Sequence, residues 1–143
     1  MDVDASFAVK WILNETLRTE ALDLLADWGQ RQVERLVPGW FACEVAHVFY
    51  KRYRAGDLPL HEVAIGIQGV MTLVQLRDTD VATSLRGVEI AHALGRPASY
   101  DSHYIALAES LGCELWTADE RLWNAASRTM PWVRWLGERA PVT

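Results

Sequence analysis

The stretch Ser99-Tyr100-Asp101-Ser102-His103-Tyr104-Ile105-Ala106-Leu107-Ala108-Glu109-Ser110-Leu111-Gly112-Cys113-Glu114-Leu115-Trp116-Thr117-Ala118-Asp119 decides the fold. Ser99 is a suitable N-cap for a helix over Tyr100 to Leu111, and Gly112 supplies the left-handed residue that closes it. Glu114 to Thr117 is then too short and too apolar for anything but a buried strand, and Asp119 stands ready to cap a following helix over Glu120 to Ala126. The unit is helix, tight turn, strand, acid.

Working outward, the same alternation recurs. Val3-Asp4 ends a very short first strand, followed by helical patterning over Ala5 to Leu13 and over Thr19 to Trp28, with Gly29 as the expected stop. Arg35 to Val37 forms a second strand closed by Pro38-Gly39. Helices follow over Trp40 to Arg54 and Leu60 to Thr72, the latter weakened by Gly66 and Gly69. Leu73 to Leu76 is a third strand, Val81 to Leu94 a helix ended by Gly95, and Val133 to Leu136 a fifth strand. Strands separated by helices imply right-handed crossovers and a parallel sheet covered on both faces. The expectation is an α/β fold, a three-layer α/β/α sandwich around a central parallel sheet, with residues 1–143 as a single domain.

Composition narrows the function. Half of the 143 residues are apolar and 23% are charged, which is globular usage. Nineteen acids against fourteen bases leave a formal net charge of −5, so the chain is a poor general polyanion binder. A local basic patch or a metal ion is still able to hold a nucleic acid. Cys43 and Cys113 are too few for a disulfide framework and read as small buried side chains in a reducing compartment. The start carries no basic and apolar leader. Val63 to Leu76 is uncharged but falls short of the ~20 residues a membrane span needs. The expected location is the cytoplasm, with no membrane contact.

In an open parallel sheet, ligands gather beyond the C-terminal ends of the strands. Asp4, Glu44, Asp101 and Asp119 all fall there, from four separate segments. If they converge, they cannot all stay ionised cheaply without a cation. Hard oxygen donors suit Mg²⁺ or Mn²⁺, and such an ion steadies charge developing on a phosphate. Each acid also has a structural explanation. Asp4, Asp101 and Asp119 could serve helix N-termini, and Glu44 could pair with His47 at i+3. Lys10, Lys51, Arg52, Arg54 and Arg96 flank the acidic segments; of these, Lys10 and Arg96 are the candidates to bind RNA phosphates, against the alternative of a solvated helix face.

Four strings carry a resemblance. Val3-Asp4-Ala5-Ser6-Phe7-Ala8-Val9-Lys10-Trp11, Pro38-Gly39-Trp40-Phe41-Ala42-Cys43-Glu44-Val45, Ser99 to Glu109, and Leu115-Trp116-Thr117-Ala118-Asp119-Glu120-Arg121-Leu122 resemble, in order, the four blocks of PIN domains, and in particular of VapC-type toxins from toxin–antitoxin pairs. The resemblance implies an Mg²⁺- or Mn²⁺-dependent endoribonuclease. It makes Asp4, Glu44, Asp101 and Asp119 the acidic quartet that holds the metal, with Ser6 and Thr117 as supporting hydroxyls. It further implies an RNA substrate, a homodimer, and a VapB-like antitoxin whose tail approaches the site. His47 is a departure, standing where many relatives carry Asn.

Two other classes compete. Asp2-Val3-Asp4-Ala5-Ser6 loosely fits the DxDx(T/S) motif of haloacid-dehalogenase-like phosphatases, in which Asp2 would be the nucleophile; that motif wants an apolar strand before it, and only Met1 is there. A non-catalytic protein-binding module is the other, invited by seven Trp residues, most of which are expected in the core.

Overall fold

The structure is a computed structural model that describes residues 1–139. Five short strands form one parallel sheet: β1 (Asp2–Val3), β2 (Leu36–Pro38), β3 (Gln75–Arg77), β4 (Leu115–Thr117) and β5 (Val133–Trp135), in the order β3-β2-β1-β4-β5. All four pairings are parallel, with Asp2 opposite both Leu36 and Leu115. Seven α-helices cover the two faces, giving the expected α/β/α sandwich. They are α1 (Ala5–Ala8), α2 (Arg18–Gln30), α3 (Phe41–Arg54), α4 (Leu60–Met71), α5 (Val81–Ala93), α6 (Tyr100–Leu111) and α7 (Glu120–Ala126).

Topology fixes where a ligand would sit. The chain builds outward from central β1 through β2 to β3, then returns to lay β4 on the other side of β1. The switch point therefore falls between β1 and β4, at their C-terminal ends, where a crevice is expected. Asp4 follows β1 directly, and Asp119 lies two residues beyond β4.

The core is strongly aromatic. Phe7 stacks on Trp28 at 5.7 Å between ring centroids, and Trp116 meets both edge-on at 6.4 and 6.0 Å. These rings are buried and anchor α1 and α2 to the β4 side of the sheet. Trp11, Trp28 and Trp116 are buried, while Trp40, Trp123, Trp132 and Trp135 are only partly so.

Several local expectations are corrected. The helix expected over Ala5 to Leu13 ends at Ala8 and tightens to a 3₁₀ turn over Val9–Trp11. Gly29 does not stop α2, which runs on to Gln30; the chain turns instead at Gln32, whose φ is 55°. The third strand lies at Gln75–Arg77 rather than Leu73 to Leu76, because Leu73 N–H still bonds Val70 at the end of α4 and pairing begins with Gln75 N–H on the Arg35 carbonyl. Leu136 opens a 3₁₀ turn instead of extending β5. Ser99 sits in helical backbone (φ −95°, ψ −5°) and its side chain caps nothing. Cys43 is exposed and Cys113 half-buried, so neither is the buried side chain expected.

Gly66 shows how α4 is held. A Cβ built there would lie 2.1 Å from the Phe49 ring, so only glycine lets α4 lie against α3 at this point. Both flanking groups are buried. Gly66→Ala is expected to destabilise the fold by about 1–3 kcal/mol despite the better helix propensity of Ala, read as a lower midpoint in urea denaturation. An unchanged midpoint would mean that α4 packs more loosely than described.

No helix of the described residues is long and apolar enough to cross a membrane.

Candidate active site

Asp4 is placed by two local demands. It ends β1, and it caps α1 by accepting the Phe7 backbone N–H at 2.9 Å through Oδ1. The same oxygen accepts the Ser6 hydroxyl at 2.7 Å. Ser6 Oγ in turn accepts the Ala118 N–H at 3.1 Å and lies 3.4 Å from Thr117 Oγ. Thr117 Oγ accepts the Asp119 N–H at 2.9 Å. Two hydroxyls thus stitch the loop after β1 to the loop after β4. Asp119 uses Oδ1 to cap α7, accepting from Arg121 and Leu122 N–H at 2.8 and 3.2 Å. The capping role and the site position coincide in both residues.

Glu44 projects from the first turns of α3 and does not pair with His47. Its Oε2 accepts the hydroxyl of buried Tyr104, on α6. Asp101, also on α6, binds Arg96 through Oδ2 at 3.1 Å. Asp4, Glu44, Asp101 and Asp119 line one open cleft of about 400 Å³, together with Ser6, His47 and Tyr104.

The charges register one another. Burial raises the Asp4 carboxyl to about 6; the hydroxyls of Thr117 and Ser6 and the Phe7 N–H oppose the rise, and Asp101 adds to it. Burial also raises Glu44, with Tyr104 opposing and Asp101 again adding. Asp101 therefore sits close enough to Asp4 and Glu44 to make their charged forms costlier.

The donor set fits a hard divalent cation. Glu44 Oε1, Asp101 Oδ1 and Asp119 Oδ2 accept no hydrogen bond among the described residues, while their sister oxygens are held by protein donors. Each such carboxylate is oriented and keeps one oxygen to spare. The acids do not form a closed cage, however: among the described residues no three His, Cys, Asp or Glu side chains lie close enough to hold one ion as placed. Arg96 holds Asp101 by one oxygen, and its side chain, like that of Asp101, is only partly screened from water.

The expected phosphate ligands look different in the structure. Lys10 is paired, with its Nζ on Glu15 at 2.9 Å and its side chain 12% exposed. Arg52 is shared between Glu15 and Asp57. Arg96 is the ion-pair partner of Asp101 instead of an open cation. Exposed Lys51 and Arg54 make no ion pair among the described residues. Asp2 is wholly buried, which removes the phosphatase alternative, since a nucleophile there could not reach a substrate.

Tyr104 belongs to the site without any motif signal of its own; the one cue in the sequence is its place three residues after Asp101, which puts both on one helical face. Tyr104→Phe keeps the ring, which packs edge-on against Trp40 at 6.1 Å, and removes only the donor. It is expected to weaken Mn²⁺ binding about tenfold by freeing Glu44, with little loss of stability. Calorimetry on the variant checks this; unchanged affinity would show that Glu44 needs no such support.

The PIN domain family pattern matches residues 1–127. Among solved structures, the crystal structure of PAE2754 from Pyrobaculum aerophilum is similar, with a TM-score of 0.66 and 18% identity, over 87% of this chain and 77% of that one. At that identity the likeness speaks for the fold. Curated proteins give no match. PIN domains form a nuclease superfamily and typically bind divalent metals. With the family pattern running through all four acidic segments and the sheet matching a solved relative, the chain belongs to the PIN domain family.

Proposed function

We propose that this protein is a metal-dependent endoribonuclease of the VapC type, the toxin of a type II toxin–antitoxin pair. One observation carries the proposal: acids from four separate segments line a single cleft at the switch point of the sheet. In this reading Asp4, Glu44, Asp101 and Asp119 hold Mg²⁺ or Mn²⁺. When bound, such an ion neutralises charge developing on the scissile phosphate. The chain's own groups prepare the cleft. Ser6 and the Phe7 N–H fix Asp4, Tyr104 fixes Glu44, and the Arg121 and Leu122 N–H groups fix Asp119. Arg96 fixes Asp101 through Oδ2, which leaves Oδ1 as the oxygen that would face a cation.

The substrate is RNA, with Lys51 and Arg54 as the cations left to meet its backbone. Residues 1–143 are one PIN domain, working in the cytoplasm as a homodimer. Tyr50, Tyr53, Leu60 and Ile65, exposed on α3 and α4, support a VapB-like protein partner. A second reading, a protein-binding module without catalysis, is favoured by the hold of Arg96 on Asp101 and the open spacing of the acids.

The test is cleavage of a mixed single-stranded RNA pool. Mn²⁺ is expected to support cleavage, EDTA to stop it, and Asp101→Asn to abolish it while the thermal midpoint stays within a few degrees. Cleavage that persists in EDTA would defeat the metal-dependent reading; no cleavage with Mn²⁺, alongside tight binding of a protein partner, would favour the module.

A further inference from the structure

A second recess adjoins the acidic cleft. It has a volume of about 450 Å³ and shares Cys43, Glu44 and Tyr100 with the cleft. Its remaining walls differ in character. Trp40 and His103 meet edge-on at 5.9 Å and an interplanar angle of 84°. His103 cannot swing away from this position easily: its Nδ1 donates to the Ser99 carbonyl at 2.6 Å, and a Cβ on Gly87 would lie 2.8 Å from its ring. Gly87 thus leaves the room that the imidazole fills. Ser99, which caps no helix, makes no side-chain hydrogen bond among the described residues. The Ser84 hydroxyl donates to the Asp80 carbonyl at 3.1 Å and can still accept.

Tyr100 stands at the junction. The residue is 71% exposed, and among the described residues its side chain has no aromatic partner and no hydrogen bond. A large ring left open beside an acidic cleft invites a flat partner. Nucleobases stack on such rings, and every base has a face to offer.

We propose that this recess is a nucleobase subsite: one unstacked base next to the scissile phosphate enters it and stacks on Tyr100. The inference rests on the ribonuclease reading above and deepens it. A phosphodiester gripped in the acidic cleft carries its own nucleoside within reach, and the wall shared by the two spaces is the natural passage. The aromatic side of the recess supplies stacking. The Ser99 hydroxyl, able to donate or accept, and the Ser84 hydroxyl, left to accept, meet base edges without fixing one base. The substrate is therefore single-stranded at the cut, since a base held in a duplex could not enter.

The experiment is a cycle between protein and substrate with the full chain and Mn²⁺. A single-stranded RNA oligonucleotide with one cleaved bond is compared with versions abasic at each nucleotide flanking that bond. In the wild type, one of the two abasic substitutions is expected to raise KM about tenfold. Tyr100→Ala and Ser84→Trp, the latter filling the recess from a residue outside the acidic cleft, are expected to show the raised KM with intact RNA and no further rise with the abasic one. Tyr100→Phe, which keeps the ring, is expected to restore the abasic penalty that Tyr100→Ala removes. Tyr100 is exposed, so its variants stay folded even if Ser84→Trp does not, and thermal midpoints confirm this. Equal abasic penalties in wild type and variants, or none at all, would overturn the subsite while leaving the ribonuclease reading intact. Variants that cleave normally but sediment as a different oligomer would overturn it in favour of a protein contact. A wild type that cleaves no RNA with Mn²⁺ would overturn the ribonuclease reading and the subsite together.

Discussion

Replacing Asp4 with Asn is expected to lower RNA cleavage about a thousandfold, the scale of losing several kcal/mol of charge stabilisation at a phosphate, while the protein remains folded. The reason lies in the double duty of the residue. Asp4 is 8% exposed, caps α1 through Oδ1, and lines the cleft. Asn keeps an acceptor oxygen for the Phe7 N–H and the Ser6 hydroxyl, so the cap survives. The negative charge does not. Asp4→Ala separates the roles: it should lose activity equally and also about 1 kcal/mol of stability through the missing cap. Single-turnover cleavage and urea denaturation of both variants check this. Cleavage by Asp4→Asn within tenfold of wild type would remove Asp4 from the chemistry.

The second large effect concerns Asp2. It stands on the central strand with no exposure, and neither carboxyl oxygen has a hydrogen-bond partner. Burial, and then the neighbouring charge of Asp4, hold its carboxyl well above the usual carboxylate range. Folding thus favours the protonated form of Asp2, and of Asp4 in the same sense. The sign follows from linkage: the folded state binds more protons, so this stability is full below about pH 4 and is lost as pH rises through the folded values. Glu109, lowered by its bond to Arg86, acts in the opposite sense and loses its contribution only as pH falls below the ordinary carboxylate range. In EDTA, the thermal midpoint is therefore expected to peak near pH 4 and to fall towards pH 8. Asp2→Val, similar in size and without a charge to bury, should stabilise the protein by about 2 kcal/mol at pH 8 and flatten that fall. A midpoint that rises from pH 5 to 8 in EDTA would show that Asp2 is not buried as described.

The sequence made the strand–helix alternation legible because β2 and β4 are short apolar runs ended by a turn residue or an acid, whereas β3, Gln75–Arg77, is mostly polar and exposed. Val37 before Pro38 and Thr117 before Asp119 are examples. The order of the strands was not legible, since β1 lies between β2 and β4 through pairings that span most of the chain. Local punctuation also misled. Gly29 looks like a helix stop, but it lies in open space where α2 can simply run past it. The positions of the four acids could be read from their places after strands; their partners could not. Glu44 has His47 one turn away, yet takes a hydroxyl from Tyr104, sixty residues on. Lys10 and Arg96 looked like free cations, but each finds an acid five residues later across a turn. Such pairings depend on how loops fold back, which helical spacing does not describe.

The central claim is that acids from four segments act together on one hard cation. Titration of Mn²⁺ into the metal-free protein by calorimetry tests it most directly, with Asp4→Asn, Glu44→Gln, Asp101→Asn and Asp119→Asn measured beside the wild type. Saturable binding to the wild type, weakened at least tenfold by each single substitution, is the predicted result. Mn²⁺ affinity that is absent from the wild type, or indifferent to all four substitutions, would contradict it.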